Sequence, residues 1–563
     1  MINKSLSPAM KSIIRRYITR RGIAPTMIDD YLNPVLDPGR FPLPDADKAA
    51  ARLLQAIETG ERVAIFGDYD CDGIASVSIL LRFFKECTTL RPIWKLPNRK
   101  TDQYGLDIVM AEKLVTEFHP GLVICVDCGT NSAEAVTWLR QRGVDTVVVD
   151  HHPVTTMAND AVAIVNPKAH PSANSGDLID LCAAGLSLLL CNYFAEQWRC
   201  ANNWNHVAAT MLSGIATLAD SVPMGSTNRA IVKSALFLLN TPSALGRCTG
   251  LRALVPADGQ RISQRRIEFG IVPPLNALGR LGDASLGVTL LTIDDEAEAQ
   301  KIAERCRELN EQRKALQLTT VEQALKQAHE LLSRMPGLPV LVLAHPDWLP
   351  GVVGPAASRV ADQLGRSAVL LGMDTEPQCW KGSGRAHHNH NLGAWLESAK
   401  RFGMVQRGGG HAGAVGVAVL SDQITKLRSM AQQQPMPLVE DHEPKYEAIG
   451  ELGELRPEEW QQVGEALEPF GAGNPAPLIA MQKAKLVKEP VELRLKDSGQ
   501  VWAVKGDFKS GKQTISVVWR NIDKTKELWQ LGRQFDFELE LSAKEYNGKL
   551  YFNWTVVNCQ PAA

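Results

Sequence analysis

Short β-branched runs separated by amphipathic stretches set the rhythm of the first half of the chain. "ADKAAARLLQAIETG" places Ala, Leu and Ile at helical spacing and stops on Gly60, and "RVAIFGD" follows as a strand. "GLVICVD" and "DTVVVDHH" repeat the pattern, each behind a helical segment. Continuous apolar runs of this kind belong to parallel strands covered on both faces, so an α/β domain is expected. Residues 294–333 are long, charged and helical, too polar for a core helix and suited to connecting two domains. "LPVLVLAH" restarts the strand pattern, and the glycine clusters "KGSGR" and "QRGGGHAG" mark a second α/β domain. Residues 421–450 carry Pro and Gln and read as a linker. From about residue 470 the pattern alternates, in "QTISVVWR" and "FDFELELSAKEYNGKLYFNWTVV", with "YNGK" as a hairpin turn. That predicts a small all-β domain.

Composition narrows the class. With 563 residues the chain exceeds one core and suggests three or four domains. At 45% hydrophobic and 22% charged it is neither disordered nor low-complexity. A net charge of −1 excludes a global polyanion-binding surface, so contact with nucleic acid has to come from local patches. Eleven cysteines without framework spacing fit a reducing compartment. "MINKSLSPAMKSIIRRY" lacks the apolar core of a signal peptide and no apolar run reaches about 18 residues. A cytoplasmic protein with no membrane association is expected.

The candidate chemistry sits where the strands end. Asp68, Asp127 and Asp150 each follow a predicted strand, and in open parallel sheets ligands bind beyond the carboxyl ends of the strands. Asp70 and Asp72 crowd beside Asp68 in "FGDYDCDG", and "MLSGIATLADSVP" ends a helical stretch at Asp220. Carboxylates gathered out of water must take up protons or bind a cation. Together with His151 and His152 the set is rich in oxygen and imidazole, which suits Mn²⁺ or Mg²⁺ better than structural zinc. Enough carboxylates are present for two divalent ions, which would activate a water and clamp a phosphoryl group. A calcium loop is excluded, because neither Asp68 nor Asp70 has a Glu at the twelfth position. "CVDC" at 125–128 lies in a strand with no second pair and reads as buried core thiols; "AHHNH" at 386–390 reads as a solvated loop.

"GDYDCDG", "VDCGT", "VDHHP" and "LADSVP" resemble the four ordered motifs of the DHH phosphoesterase superfamily. Within it the chain is similar to the RecJ-type single-strand-specific exonucleases, through "LPNRKTDQYGL", "LNALGRLGDASLGV", "GSGR", "GGHAGAVG" and "LEPFGAGNPAP". The resemblance implies an N-terminal lead-in at 1–45, a DHH catalytic domain with a parallel sheet at 46–293 and a connecting helix at 294–335. A second α/β, DHH-associated domain at 336–430, a linker at 431–469 and an OB-like β-barrel at 470–563 follow. It implies divalent-metal ligands at Asp68, Asp70, Asp72, Asp127, His151 and Asp220. His152 would face the scissile phosphate, Asp150 would orient the neighbouring histidine, and Arg280 would join them in catalysis. Arg99, Tyr104, Ser383 and Arg385 would hold the 5′ end, with Gly409, Gly410 and His411 lining the facing domain. Arginine suits phosphate through bidentate hydrogen bonds.

The implied activity is 5′-to-3′ hydrolysis of single-stranded DNA to 5′ mononucleotides with two metal ions, in DNA repair and recombination. Single-strand-binding protein and a helicase would be partners. Competing readings are a phosphodiesterase acting on short oligonucleotides or cyclic dinucleotides, and a catalytically silent strand-binding factor. Departures from the family pattern fall on the substrate side: Pro274 and Leu349 stand where Arg and His are common, and Ala386 and Val415 where Ser and Ala are. Residues 471–563 carry 14 Lys and Arg against 10 Asp and Glu, a local basic bias that fits an OB-fold strand groove with aromatic faces. Trp502, Trp519, Tyr546, Tyr551, Phe552 and Trp554 would divide between groove and core. A monomer is expected, since no heptad pattern runs beyond the connecting helix.

Overall fold

The computed structural model describes the chain except residues 1–5, 37–42, 100, 103–104, 171–175, 375–377, 440–446, 495–500, 512, 521–524, 526, 547–548 and 563; for 543–546 and 549–550 it describes the backbone alone. The first sheet is built from β1 (Val63–Gly67), β2 (Ile93–Lys95), β3 (Leu122–Val126), β4 (Asp145–Val149) and β5 (Ala163–Val165). All neighbours are parallel, in the order β2-β1-β3-β4-β5. β1 and β3 are buried at every position, which is why their sequences are unbroken apolar runs. In this strand order the chain leaves β1 toward one edge and β3 toward the other. A crevice therefore opens between their carboxyl ends.

The second sheet is mixed: β6 (Val340–His345), β7 (Ser367–Met373), β8 (Cys379–Arg385), β9 (Arg407–His411) and β10 (Ala414–Leu420) run in the order β6-β7-β8-β10-β9. Only β6 and β7 are parallel. The helix Glu296–Arg334 joins the two layers. Its first half buries Ala299, Ile302, Cys306 and Leu309 in the first core, its second half Val321, Ala324 and Ala328 in the other. The polar character that predicts a connector is the face left over between two cores.

The C-terminal unit comprises β11 (Gly450–Glu451), β12 (Ile479–Leu486), β13 (Val491–Arg494), β14 (Val501–Ser510), β15 (Gln513–Trp519), β16 (Gln534–Tyr546) and β17 (Lys549–Pro561). The ring β12-β16-β17-β15-β14 closes through β12–β14 pairing into a five-stranded barrel. The "YNGK" turn falls partly outside the described residues, but β16 and β17 pair antiparallel up to Tyr546 and Lys549. Trp519 and Trp554 are core, whereas Trp502 and Tyr551 are exposed. Phe552 is half-buried, and the Tyr546 side chain lies outside the described residues.

Two neighbours of the barrel come from elsewhere in the sequence. The stretch with Pro and Gln is followed by the helix Pro457–Leu467, whose Trp460, Val463 and Leu467 enter the barrel core. The helix Pro8–Arg20, capped by Ser7, brings Met10, Ile13, Ile14 and Tyr17 to the same core. Tyr17 donates to Asn474 Oδ1 at 3.0 Å. Arg229, on the helix Ser226–Leu239, then ties this assembly to the first domain through the carbonyls of Tyr31, Leu467 and Pro469 at 3.0–3.1 Å.

Candidate metal centre and anion-binding cleft

The crevice between β1 and β3 is where the aspartates meet. Asp68 follows β1, and Asp70 caps the helix Cys71–Cys87, its Oδ1 accepting from Asp72 N at 3.0 Å and Gly73 N at 3.1 Å. Gly73 has to be glycine, because a Cβ there would run into the Asp68 carbonyl. Asp72 accepts from the amides of Ala183 and Ala184, both at 2.8 Å, at the start of the helix Ala183–Gln197. Asp127 leaves β3 with φ 57°, a left-handed conformation that turns its carboxylate into the crevice. Asp220 ends the helix His206–Ala219.

His151 completes the cluster. Its Nε2 lies 3.3 Å from Asp127, 3.6 Å from Asp220 and 3.8 Å from Asp72. Three sets of ligand atoms each fall within 4.8 Å of one another: Asp68, Asp70 and Asp127; Asp72, His151 and Asp220; Asp127, His151 and His152. Asp127 and His151 each belong to two of them.

Electrostatics test whether these groups fit a cation. Burial and then the Asp72 and Asp70 charges push Asp220 up to about 8; burial and the same like-charge crowding hold Asp68 and Asp127 well above the usual carboxylate range. Burial and Asp70 push Asp72 up to about 6 against its two amide donors. Asp68 Oδ1 is buried without a hydrogen bond among the described residues. Burial and the adjacent His152 push His151 down to about 3, so its ring is neutral, the form that ligates a metal. Carboxylates that cannot all ionise together, beside a neutral imidazole, fit a divalent cation.

The Asp150 carboxylate is a different case. Its oxygens accept from His151 N (2.7 Å), His152 N (3.1 Å), Thr130 N (3.0 Å) and the His152 ring Nδ1 (2.7 Å). Burial opposes its charge, but His152 and these donors overcome that and hold it well below the usual range. Burial likewise opposes charge on His152, yet the hydrogen bond to Asp150 pushes it up to about 9. Asp150 is spent on shaping its own loop.

Basic residues from both domains meet beside the cluster. Arg280 Nη1 donates to the Gly351 carbonyl at 3.0 Å, at the start of the helix Pro350–Leu364. Burial and then Arg99 and Arg313 push it down to about 10. Arg385 is lowered too, by burial and by Arg99. Ser383 Oγ and Arg385 Nη2 sit against this helix at Gly354, where a Cβ would make ordinary contact with both at 3.4 Å. None of Arg99, Arg280 and Arg385 forms an ion pair among the described residues. Arg99 lies over the Tyr69 ring, 5.1 Å from its centroid. Half-buried guanidinium groups without an ion-paired carboxylate suit an anion. Gly409, Gly410 and His411 lie on β9, the exposed edge of the second sheet, outside the three ligand sets. Tyr104 lies outside the described residues.

Three family profiles match along the chain: the DHH family N-terminal domain over residues 62–215, the DHHA1 domain over 337–434 and the RecJ OB domain over 447–557. The single-stranded-DNA-specific exonuclease RecJ of Bacillus subtilis is 28% identical over 90% of this chain and 62% of its own length. The Escherichia coli RecJ is 30% identical over 68% of this chain and 67% of its own. The chain belongs to the RecJ family. The crystal structure of Thermus thermophilus RecJ with Mn²⁺ superposes with a TM-score of 0.76, covering 99% of this chain and 79% of that one at 25% identity.

Several residues that shape this RecJ-family site escape sequence reading. Asn276 Oδ1 accepts the Cys71 amide at 2.9 Å, and Gly279 lets the same helix, Val272–Leu281, touch the Tyr69 carbonyl. "LNALGR" thus braces the loop that carries Asp70 while its Arg280 spans to the second domain. Thr130, Asn166 and Lys168 hold the Asp150–His152 loop by hydrogen bonds. The one local signal for the last two is a polar "NPK" turn directly after an apolar strand.

Proposed function

We propose that this chain is a metal-dependent exonuclease that degrades single-stranded DNA from its 5′ end and releases 5′ mononucleotides. One observation carries the reading: the Asp127 carboxylate, whose two oxygens can bridge, is shared between a set with Asp68 and Asp70 and a set with His151, an arrangement that suits two neighbouring cations. Manganese or magnesium, when bound, supplies a water of lowered pKa and neutralises charge on the phosphoryl oxygens.

The chain's own groups do the rest. Asp68, Asp70, Asp72, Asp127, His151 and Asp220 would hold two divalent ions. His152, its Nδ1 engaged by Asp150, presents Nε2 to a phosphoryl oxygen. Arg99, Arg280 and Arg385, with Ser383, would grip the terminal phosphate and so set how far the strand's first phosphodiester reaches toward the carboxylate cluster. The exposed Trp502 and Tyr551 of the barrel offer stacking faces for bases downstream. Among the described residues no helix is long and apolar enough to cross a membrane.

The test offers 5′-labelled and 3′-labelled single strands, duplex and a cyclic dinucleotide, with Mn²⁺ and then with chelator. Mononucleotide release from the 5′-labelled single strand, lost with chelator, is expected. Cleavage of the cyclic dinucleotide alone would replace this reading with that of a small-substrate phosphodiesterase. Binding of single strands without any cleavage would leave a strand-binding factor.

A further inference from the structure

A ring nitrogen that faces a metal is ordinarily aimed by a hydrogen bond on the other ring nitrogen. His151 lacks that support: its Nδ1 is buried with no hydrogen-bond partner among the described residues. Its aim has to come from the backbone. On one side the His151 amide is fixed by Asp150 Oδ1 at 2.7 Å. On the other, Lys168 Nζ donates to the His151 carbonyl at 2.6 Å.

The lysine is itself well placed to hold that carbonyl. It stands in the turn Pro167–Ala169, just past β5, where Asn166 Oδ1 accepts the Lys168 amide at 2.9 Å. Asn166 is fully buried, and its Nδ2 donates to the His152 carbonyl at 3.0 Å and to Thr130 Oγ1 at 2.9 Å. One short turn therefore grips two consecutive carbonyls of the histidine loop. Asn166 holds His152, and Lys168 holds His151.

We propose that Lys168 is a positioning residue of the metal centre, whose ammonium pins the His151 carbonyl and so sets the pose from which the imidazole reaches between Asp127, Asp72 and Asp220. The proposal rests on reading that pocket as a divalent-cation site. A second role is open to the same ammonium, since its charge is felt at Asp220 and Asp180. The two roles differ in sign. A lysine that served only as counter-charge to the carboxylates would, on removal, leave the pocket more negative and tighten cation binding. A lysine that aims His151 would, on removal, weaken it.

The experiment titrates metal-free protein with Mn²⁺ in the absence of DNA, by calorimetry and by the electron paramagnetic resonance of free Mn²⁺. Wild type, K168M and K168R are compared, with thermal unfolding of each in chelator. Lys168→Met is expected to weaken Mn²⁺ binding about tenfold, the effect of losing a group that supports a metal ligand. Lys168→Arg should recover it to within about threefold, since it keeps donor and charge. Should K168M not fold, K168Q carries the same comparison. Unchanged or tighter Mn²⁺ binding in K168M would overturn the proposal, as would a drop in melting temperature alone. If wild type binds Mn²⁺ and K168M binds it equally, only the lysine's role falls. If wild type takes up none, the cation site itself is refuted and this inference with it.

Discussion

Arg280 donates to the carbonyl of Gly351 across 3.0 Å, and this one bond joins the helix that braces the aspartate loop to the helix behind Ser383 and Arg385. The contact is close on both sides, because a Cβ at Gly351 would strike the Arg280 carbonyl. Arg280→Ala removes both the bridge and one of the cations proposed to grip the terminal phosphate. A charged hydrogen bond contributes roughly 1.5–3 kcal/mol, so kcat/KM on single strands should fall about 10- to 100-fold. Gly351→Ala should reproduce part of that loss with Arg280 intact. Steady-state kinetics on 5′-phosphorylated strands reads both.

Burial, and then the charges of Asp72, Asp70, Asp68 and Asp220, all resist ionisation of Asp127. Asp127→Asn should abolish Mn²⁺-dependent hydrolysis while leaving the metal-free fold at least as stable as wild type. For wild type, Mn²⁺ at about 100 times its Kd should add about 2.7 kcal/mol per site to unfolding stability. The variant should show no such gain. Denaturant unfolding with Mn²⁺ and with chelator measures both.

Glu468 lies between Arg261, Glu465, Lys233 and Glu268, and burial is the largest influence, pushing it up to about 7. A carboxyl raised above its unfolded value of 4.5 favours the folded state most when protonated. That contribution is complete below about pH 4.5 and is lost as pH rises through about 7. Glu468→Gln keeps the neutral form at all pH values. Its melting temperature should therefore exceed that of wild type at pH 8 and converge with it near pH 5.

Arg229 donates to four carbonyls from two distant segments while packed 3.8 Å over the Tyr31 ring. Arg229→Met fills much of the volume but leaves the Tyr31, Leu467 and Glu468 carbonyls without this donor, at about 1–3 kcal/mol for each that water does not reach, whereas Pro469 keeps Asn474 Nδ2. Urea unfolding should show a loss of about 3 kcal/mol or more. Limited proteolysis should then cut first around the helix Pro8–Arg20, which Arg229 helps to hold.

What the sequence revealed follows physical range. Asp68, Asp127 and Asp150 could be placed because a buried parallel strand writes an unbroken apolar run, and the residue after it falls at the sheet's carboxyl edge. The order of strands, and hence the crevice between β1 and β3, came from pairing that leaves no local mark. Asp72 illustrates the same limit: its proximity to Asp70 is obvious, but the Ala183 and Ala184 amides that hold it are 111 and 112 residues away. Lys168 looked like any surface lysine, since nothing in "NPKAH" records the carbonyl it reaches. The helix Pro457–Leu467 was hidden behind a Pro- and Gln-bearing stretch, its Trp460 meaningful only against the barrel and the helix Pro8–Arg20.

That last pairing has a consequence for biosynthesis. Tyr17 and Asn474, hydrogen-bonded in the finished fold, are 457 positions apart. At about 5–20 residues per second the ribosome needs roughly 20–90 s to cover that interval. Throughout it Ile13, Ile14 and Tyr17 lack the barrel side of their core, with only near neighbours such as Leu32 to rest on. Nascent chains of this protein should be clients of holding chaperones until the barrel emerges, long after the catalytic sheet has closed.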